Sequence, residues 1–304
     1  MRHSSLGIAL KLGATFAFSL MYTVIKLAGD VPIGQVVFFR AFFALVPLFA
    51  FAAFTVGPRA VMRTNHPVLH IARSGAGVAS MFLNFTALSL LPLADLTAFS
   101  FVMPIFAVVL SVILLHEKVG RYRWGAVLVG FTGILLMIEP HGGIAAVIGH
   151  GASPGAAMAL GAAFLSAFVV IFIRQMSATE RSETIVFYFM ATCTIVGAIS
   201  MIWDRVSLTP MMAMWLVLCG LLGGIGQLCM TFSYRYAAPS LLAPFDYAAM
   251  VWAVLLGYFV FTEVPEIMVM AGSAVVIAAG LFIVWRERQL HRPSASTARP
   301  IQPL

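Results

Sequence analysis

The feature that most constrains this chain is a succession of apolar stretches, each about twenty residues long, running from residue 6 to residue 285. Twenty apolar residues rising about 1.5 Å each cross the roughly 30 Å hydrocarbon core of a bilayer as one helix. Breaking the sequence at its polar, proline and glycine clusters predicts ten spans: 6–28, 33–55, 69–90, 94–115, 122–139, 154–174, 184–203, 211–234, 240–261 and 266–285. None shows the alternation of barrel strands, so the expected class is an all-α polytopic membrane protein. Composition agrees, with 62% of residues hydrophobic and only 10% charged, against about 25% charged in soluble domains. The first run reaches Ala28 with no small-x-small cleavage site after it. It is too long for a signal peptide and reads as a span.

Charge then gives an orientation. With the N-terminus inside, thirteen of the eighteen Lys and Arg fall on cytoplasmic segments and span ends, among them Arg59, Arg63, Lys118 and Arg181. One, Arg205, falls outside, and Lys11, Lys26, Arg40 and Arg73 lie within spans. This bias predicts cytoplasmic termini and an even number of spans; the membrane expected is a bacterial inner one. It also accounts for the net charge of +7 without a nucleic-acid partner. The tail 286–304, rich in Arg, Ser and Pro, is expected to be disordered. Cys193, Cys219 and Cys229 all lie in apolar segments outside any CxxC or Cys/His pattern and read as packing residues.

The chain repeats itself at an offset near 146 residues. Leu93-Ala94-Asp95-Leu96-Thr97-Ala98-Phe99 lies over Pro239-Ser240-Leu241-Leu242-Ala243-Pro244-Phe245, and Leu114-Leu115-His116-Glu117 over Val260-Phe261-Thr262-Glu263. One inserted residue later, Gly125 and Gly133 match Gly272 and Gly280. Five spans per copy is odd, so the copies, 6–139 and 154–285, are expected to be inverted relative to each other. Inverted repeats are a device of secondary transporters, whose halves exchange conformations around a central site.

The doubled small-residue and proline entry into spans four and nine (Leu91-Pro92-Leu93-Ala94 and Ala238-Pro239-Ser240) and the doubled span-terminal Glu resemble the drug/metabolite transporter superfamily, in its EamA branch. Phe38-Phe39-Arg40-Ala41 and the run from Pro244-Phe245-Asp246-Tyr247 to Gly257-Tyr258 are similar to it as well. The resemblance covers residues 6–285, and departs in having Thr262 before Glu263, where the family often has Gly. It implies two halves around a central cavity, peripheral fifth and tenth spans, and alternating-access transport of a small solute.

Ionisable residues within spans cost about 2.5–3.5 kcal/mol each and need reasons. Lys11 and Arg73 lie near cytoplasmic span ends and are expected to snorkel, and Asp95 and Glu139 to be interfacial. Lys26 and Arg40 fall in the outer halves of adjoining spans, where they could converge with Asp30 as a structural cluster or anchor a substrate carboxylate or phosphate. Asp246 reads either as a buried structural carboxylate or as a cavity acid that meets substrate or carries a proton; its counterpart in the first repeat is Ser100. Asn84 and Gln227 add neutral polar groups, and Tyr22, Phe99, Tyr247 and Trp252 would suit a planar solute if they line the cavity. Gly220 and Gly224 form a GxxxG spacing, expected to serve packing within the bundle.

His116-Glu117 has no second His four residues on, which removes a zinc-protease reading, and no GxxxxGK[ST] phosphate loop occurs. The leading expectation is therefore a metabolite transporter without cofactor or metal, with a planar vitamin such as riboflavin (taken up) as one solute class. Export of amino acids or drugs is the alternative within the family. A lipid-modifying intramembrane enzyme is the alternative of another class, disfavoured by scattered histidines. The partners expected are a small-molecule solute and the lipid bilayer; a homodimer stays open.

Overall fold

A computed structural model describes residues 2–55, 57–64, 66–115, 121–141, 153–176, 179–236, 242 and 245–290. Among these, every regular element is helical. The helices are α1 (Arg2–Leu27), α2 (Ile33–Phe54), the short α3 (Pro58–Val61), α4 (Pro67–Leu90), α5 (Leu93–Ser100), α6 (Met103–Leu115) and α7 (Arg121–Ile138). After a 3-10 turn at Glu139–His141 come α8 (Pro154–Met176), α9 (Ser182–Ser200), α10 (Pro210–Tyr236), α11 (Ala248–Phe261) and α12 (Ile267–Leu290). Among the described residues, seven helical stretches are long and apolar enough to cross a membrane: 5–27, 33–54, 93–114, 124–141, 154–173, 182–200 and 210–233. Ala248–Phe261 and Ile267–Phe282 are shorter apolar helices. Helix α4 has 24 residues but carries His70, Arg73, Ser74 and Asn84. The His116-Glu117 span end, the Pro239-Ser240 entry, Pro244 and the tail from His291 lie outside the described residues.

The fourth predicted span is not one continuous helix. Pro104 has no N–H to continue the ladder, and Phe101 and Val102 instead close tight turns, their N–H groups donating to Ala98 and Phe99 carbonyls at 3.1 Å each. The chain re-enters a helix at Met103. In the second half Tyr247, one repeat offset from Phe101, is again a turn residue immediately before α11. The two break-point rings meet edge to face at 5.1 Å.

Helix pairings come in matched sets when the two halves are exchanged. Contacts of α1 with α10 match those of α4 with α8, those of α6 with α8 match α11 with α1, and those of α2 with α10 match α4 with α9. The remaining extensive pairings, α2 with α9 and α7 with α12, join equivalent helices. Thus α7 and α12, predicted as peripheral, pack on each other. Small residues permit this closeness. A Cβ on Gly197 would lie 2.7 Å from the Phe38 backbone nitrogen, and one on Gly272 would meet the Gly133 carbonyl. The Gly220–Gly224 spacing on α10 seats α2 as expected: a Cβ at Gly220 would lie 2.7 Å from the Phe39 carbonyl oxygen, one at Gly224 3.0 Å from that of Ala44. Outward faces are apolar, with Val68, Ile71, Phe259 and Ile267 all strongly exposed.

Distant polar contacts gather into two groups. Lys26–Glu263, Gln35–Val206 and Asp95–His141 join segments assigned to the outside. Thr64–Glu180 and Arg286–Tyr122 join segments assigned to the inside.

Candidate solute site

Helix α4 carries a polar stripe through the bundle. His70, Arg73, Ser74, Gly77 and Asn84 fall at i, i+3, i+4, i+7 and i+14, one face of a helix. Along it Nε and Nη1 of Arg73, Ser74 Oγ and Asn84 Oδ1 are buried without a hydrogen bond, as is Thr184 Oγ1 on the facing α9, while His70 Nε2 faces the buried Glu180 carboxylate at 3.8 Å. An unsatisfied buried polar group costs about 1–3 kcal/mol, so a concentration of them on one face calls for an explanation.

At the centre of this stripe two arginines meet one ring. The Arg73 guanidinium carbon lies 3.9 Å from the Phe189 ring centroid and that of Arg40, reaching in from α2, lies 6.0 Å from it. Gly77 makes room for the ring, since a Cβ there would sit 2.7 Å from Phe189 Cε2. Arg40 Nη1 donates to Met190 Sδ at 3.3 Å and its Nε has no partner. Arg40 and Arg73 are 7% and 5% exposed, so the expectation that Arg73 snorkels is corrected. Its place near a span end set its depth, but the turn of the helix points it inward. Among the described residues no carboxylate pairs with either arginine.

A cleft of about 440 Å³, measured to its open mouth, lies between α2, α9 and α10 and reaches Met190 beside Arg40. Leu48, Glu183, Gln227 and Thr231 line it, so Gln227 belongs to this approach.

Lys26 and Arg40 do not converge. Lys26 forms an ion pair with Glu263, donates to the Leu91 carbonyl at 3.2 Å and lies 5.1 Å from the Phe261 ring centroid. Glu263 also accepts the Leu93 N–H at 2.9 Å. Asp30 is exposed and neutralises neither cation. Thr262 builds this latch: it ends α11 in the left-handed conformation (φ 58°) while the Glu263 N–H bonds back to the Gly257 carbonyl at 3.0 Å. That closure is the one glycine usually provides.

Asp246 pairs with Lys11 at 2.6 Å, and Lys11 is 1% exposed rather than snorkelling. Helix α1 therefore holds the α11 segment at both ends, Lys11 through Asp246 just before it and Lys26 through Glu263 just after it. Asp95 is buried too, 3.4 Å from His141 Nε2, not interfacial. The glutamate of the latch and the lysine partner of Asp246 were visible as residues but not as partners; each pair joins residues more than 230 apart.

The aromatic residues do not form one box. Phe99 packs on His141 at 5.7 Å, Tyr247 on Phe101, and Trp252 on Phe16 at 5.1 Å while its indole N–H donates to Thr15 Oγ1 at 3.3 Å. Tyr22 packs on Phe85 at 6.3 Å. They serve helix contacts at four separate places.

A bundle of apolar helices around a polar, partly unpartnered interior is the architecture of a membrane transporter. The chain belongs to the EamA-like transporter family, which matches residues 5–139 and 153–285. It is 28% identical over 280 residues to the pseudopaline exporter of Pseudomonas aeruginosa, covering 90% of this chain and 94% of that one. It is 27% identical over 264 residues to the S-adenosylmethionine uptake transporter of Rickettsia bellii, 84% of each chain. The riboflavin transporter of Vibrio cholerae is 27% identical over 297 residues, 95% of this chain and 97% of that one. A solved crystal structure shares the fold with a TM-score of 0.66 at 20% identity, over 95% of this chain and 99% of that one. This is thus a multi-pass membrane transporter of the drug/metabolite superfamily, not an enzyme, and its partner is a small-molecule solute.

Proposed function

We propose that the chain is a secondary transporter that moves a small organic metabolite across a bacterial inner membrane by alternating access. Its ten spans form two inverted five-helix repeats, 6–139 and 154–285, with both termini cytoplasmic. The observation that carries this reading is the buried polar face of α4 opposite α9, whose unpartnered groups a passing solute would satisfy. The matched helix pairings and the two separate family matches support the repeats, and inverted repeats can exchange roles around such a face. Arg40, Asn84 and Gln227 are the residues closest to the path. Lys26 and Asp246 hold span nine against α1, and Phe99, Tyr247 and Trp252 pack the helices that must slide.

Uptake of a planar vitamin such as riboflavin is the first substrate reading, supported by the riboflavin transporter among the relatives. Export is the second, favoured by the likeness to the pseudopaline exporter. Purified protein in liposomes, assayed for saturable flux of radiolabelled riboflavin, S-adenosylmethionine and amino acids, tests both. Flux of one class above protein-free vesicles is expected; absence of flux for every class counts against the transport reading.

A further inference from the structure

We infer that Arg40 and Arg73 form a single binding site for an oxyanion, a carboxylate or phosphate carried by the solute, with Phe189 as its floor. The inference rests on the transport reading only in assigning the oxyanion to a solute. Both guanidinium carbons lie near the Phe189 centroid, at 6.0 and 3.9 Å, so they are no farther apart than the sum of those distances. Each comes from a different helix, and each is more than nine-tenths buried. Arg40 is seven residues from the start of α2 and Arg73 six from the start of α4. Both positions are therefore about 9–10 Å along helices that run in opposite directions, well inside the bilayer.

Two like charges this deep repel each other and need an anion. The described residues supply none: Arg40 donates to the Met190 thioether, a weak acceptor, and Nε of both arginines and Nη1 of Arg73 have no hydrogen-bond partner among them. The interior carboxylates are engaged elsewhere, Asp246 with Lys11, Glu263 with Lys26, Asp95 with His141, and Glu180 with His70 and the Thr64 hydroxyl. Guanidinium donors in a fixed fork match the two oxygens of a carboxylate or phosphate. The unpartnered Ser74 and Thr184 hydroxyls, on the two helices that bring in Arg73 and Phe189, add neutral donors nearby. A cleft ending at Met190 gives access from one side. The anion would meet positive charge before it meets lipid.

The test compares matched probes on the full-length protein in detergent, read by its thermal unfolding midpoint: riboflavin 5′-phosphate against riboflavin, amino acids against their amides, and inorganic phosphate alone. Oxyanion-bearing members are expected to raise the midpoint with at least about tenfold higher apparent affinity than their neutral partners, and Arg40→Gln and Arg73→Gln to abolish that preference. Because no carboxylate among the described residues pairs with either arginine, neither variant should unfold earlier than wild type without solute. An equal response to neutral members, a preference that survives both substitutions, or early unfolding of both variants without solute would overturn the inference. Phosphatidylglycerol is the lipid arm: if it alone gives the rise, the oxyanion belongs to a headgroup and the solute assignment is lost. Oxyanion binding without flux in liposomes leaves this site standing and removes the transport reading; flux of neutral solutes with no oxyanion preference does the reverse.

Discussion

Replacing Asp246 by Asn separates two charges that the structure treats very differently. The pair is 2.6 Å long, but the Lys11 side chain is 1% exposed and that of Asp246 45%. Breaking a fully buried pair costs about 3–5 kcal/mol and a surface pair about 0–1 kcal/mol. Asp246→Asn takes the carboxylate from a buried ammonium and should fall toward the buried class, at about 2–3 kcal/mol. Lys11→Met leaves behind the less enclosed partner of the pair and should cost less, about 1 kcal/mol. The double variant has no stranded charge and should be more stable than Asp246→Asn alone. Titration with SDS in detergent micelles, following loss of helix by circular dichroism, gives all four values of the cycle. If Lys11→Met is as damaging as Asp246→Asn, or if the two effects simply add, the buried-cation argument is wrong.

Other consequences are separate and as direct. Glu263→Gln removes the charge that ties Lys26 to the Leu91–Leu93 turn; a cysteine placed at the buried Leu88 should then react severalfold faster with a thiol reagent, and an unchanged rate argues against a latch. Thr262→Gly should stabilise by about 0.5–1 kcal/mol, since relief of a left-handed residue, roughly 1–2 kcal/mol, exceeds the added freedom of the unfolded chain; a lower midpoint in the same SDS titration contradicts it. Gly197→Ala should cost about 1–3 kcal/mol by forcing α2 from α9, whereas Gly125→Ala, with nothing within 4 Å of the new Cβ, should be neutral or mildly stabilising. Cysteines near Arg63 and Asp204 should label from opposite membrane faces; labelling from the same face rules out the ten-span arrangement.

Apolar length and proline placement are local properties, and they made most of the fold legible. The run 94–115 reads as membrane-crossing from composition, and Pro104 within it already marks where the ladder loses a bond. The GxxxG of α10 likewise foretells a close helix contact, found against α2. The site was less legible because sequence position gives a residue's depth but not the neighbour it faces. Arg73 and Lys11 look like snorkelling cations by depth alone. Only the packing of α4 against α9, and of α1 against span nine, turns them inward. Lys26 with Glu263 and Lys11 with Asp246 are partners across the whole chain, and no spacing rule connects residues so far apart. The aromatic residues were equally hard to place, since Tyr22, Phe99, Tyr247 and Trp252 come from separate stretches of chain and each ring packs on a different neighbour.

Access to the α4 stripe from both sides of the membrane tests the central claim most directly. Ser74 is 1% exposed with an unpartnered hydroxyl, and a thiol there is a near-isosteric probe. In a background with Cys193, Cys219 and Cys229 replaced by Ser, Ser74→Cys should react with a membrane-impermeant maleimide in right-side-out spheroplasts and also in inverted vesicles. A transported solute should slow both reactions. Reaction from one face only, or from neither, would contradict alternating access to this site.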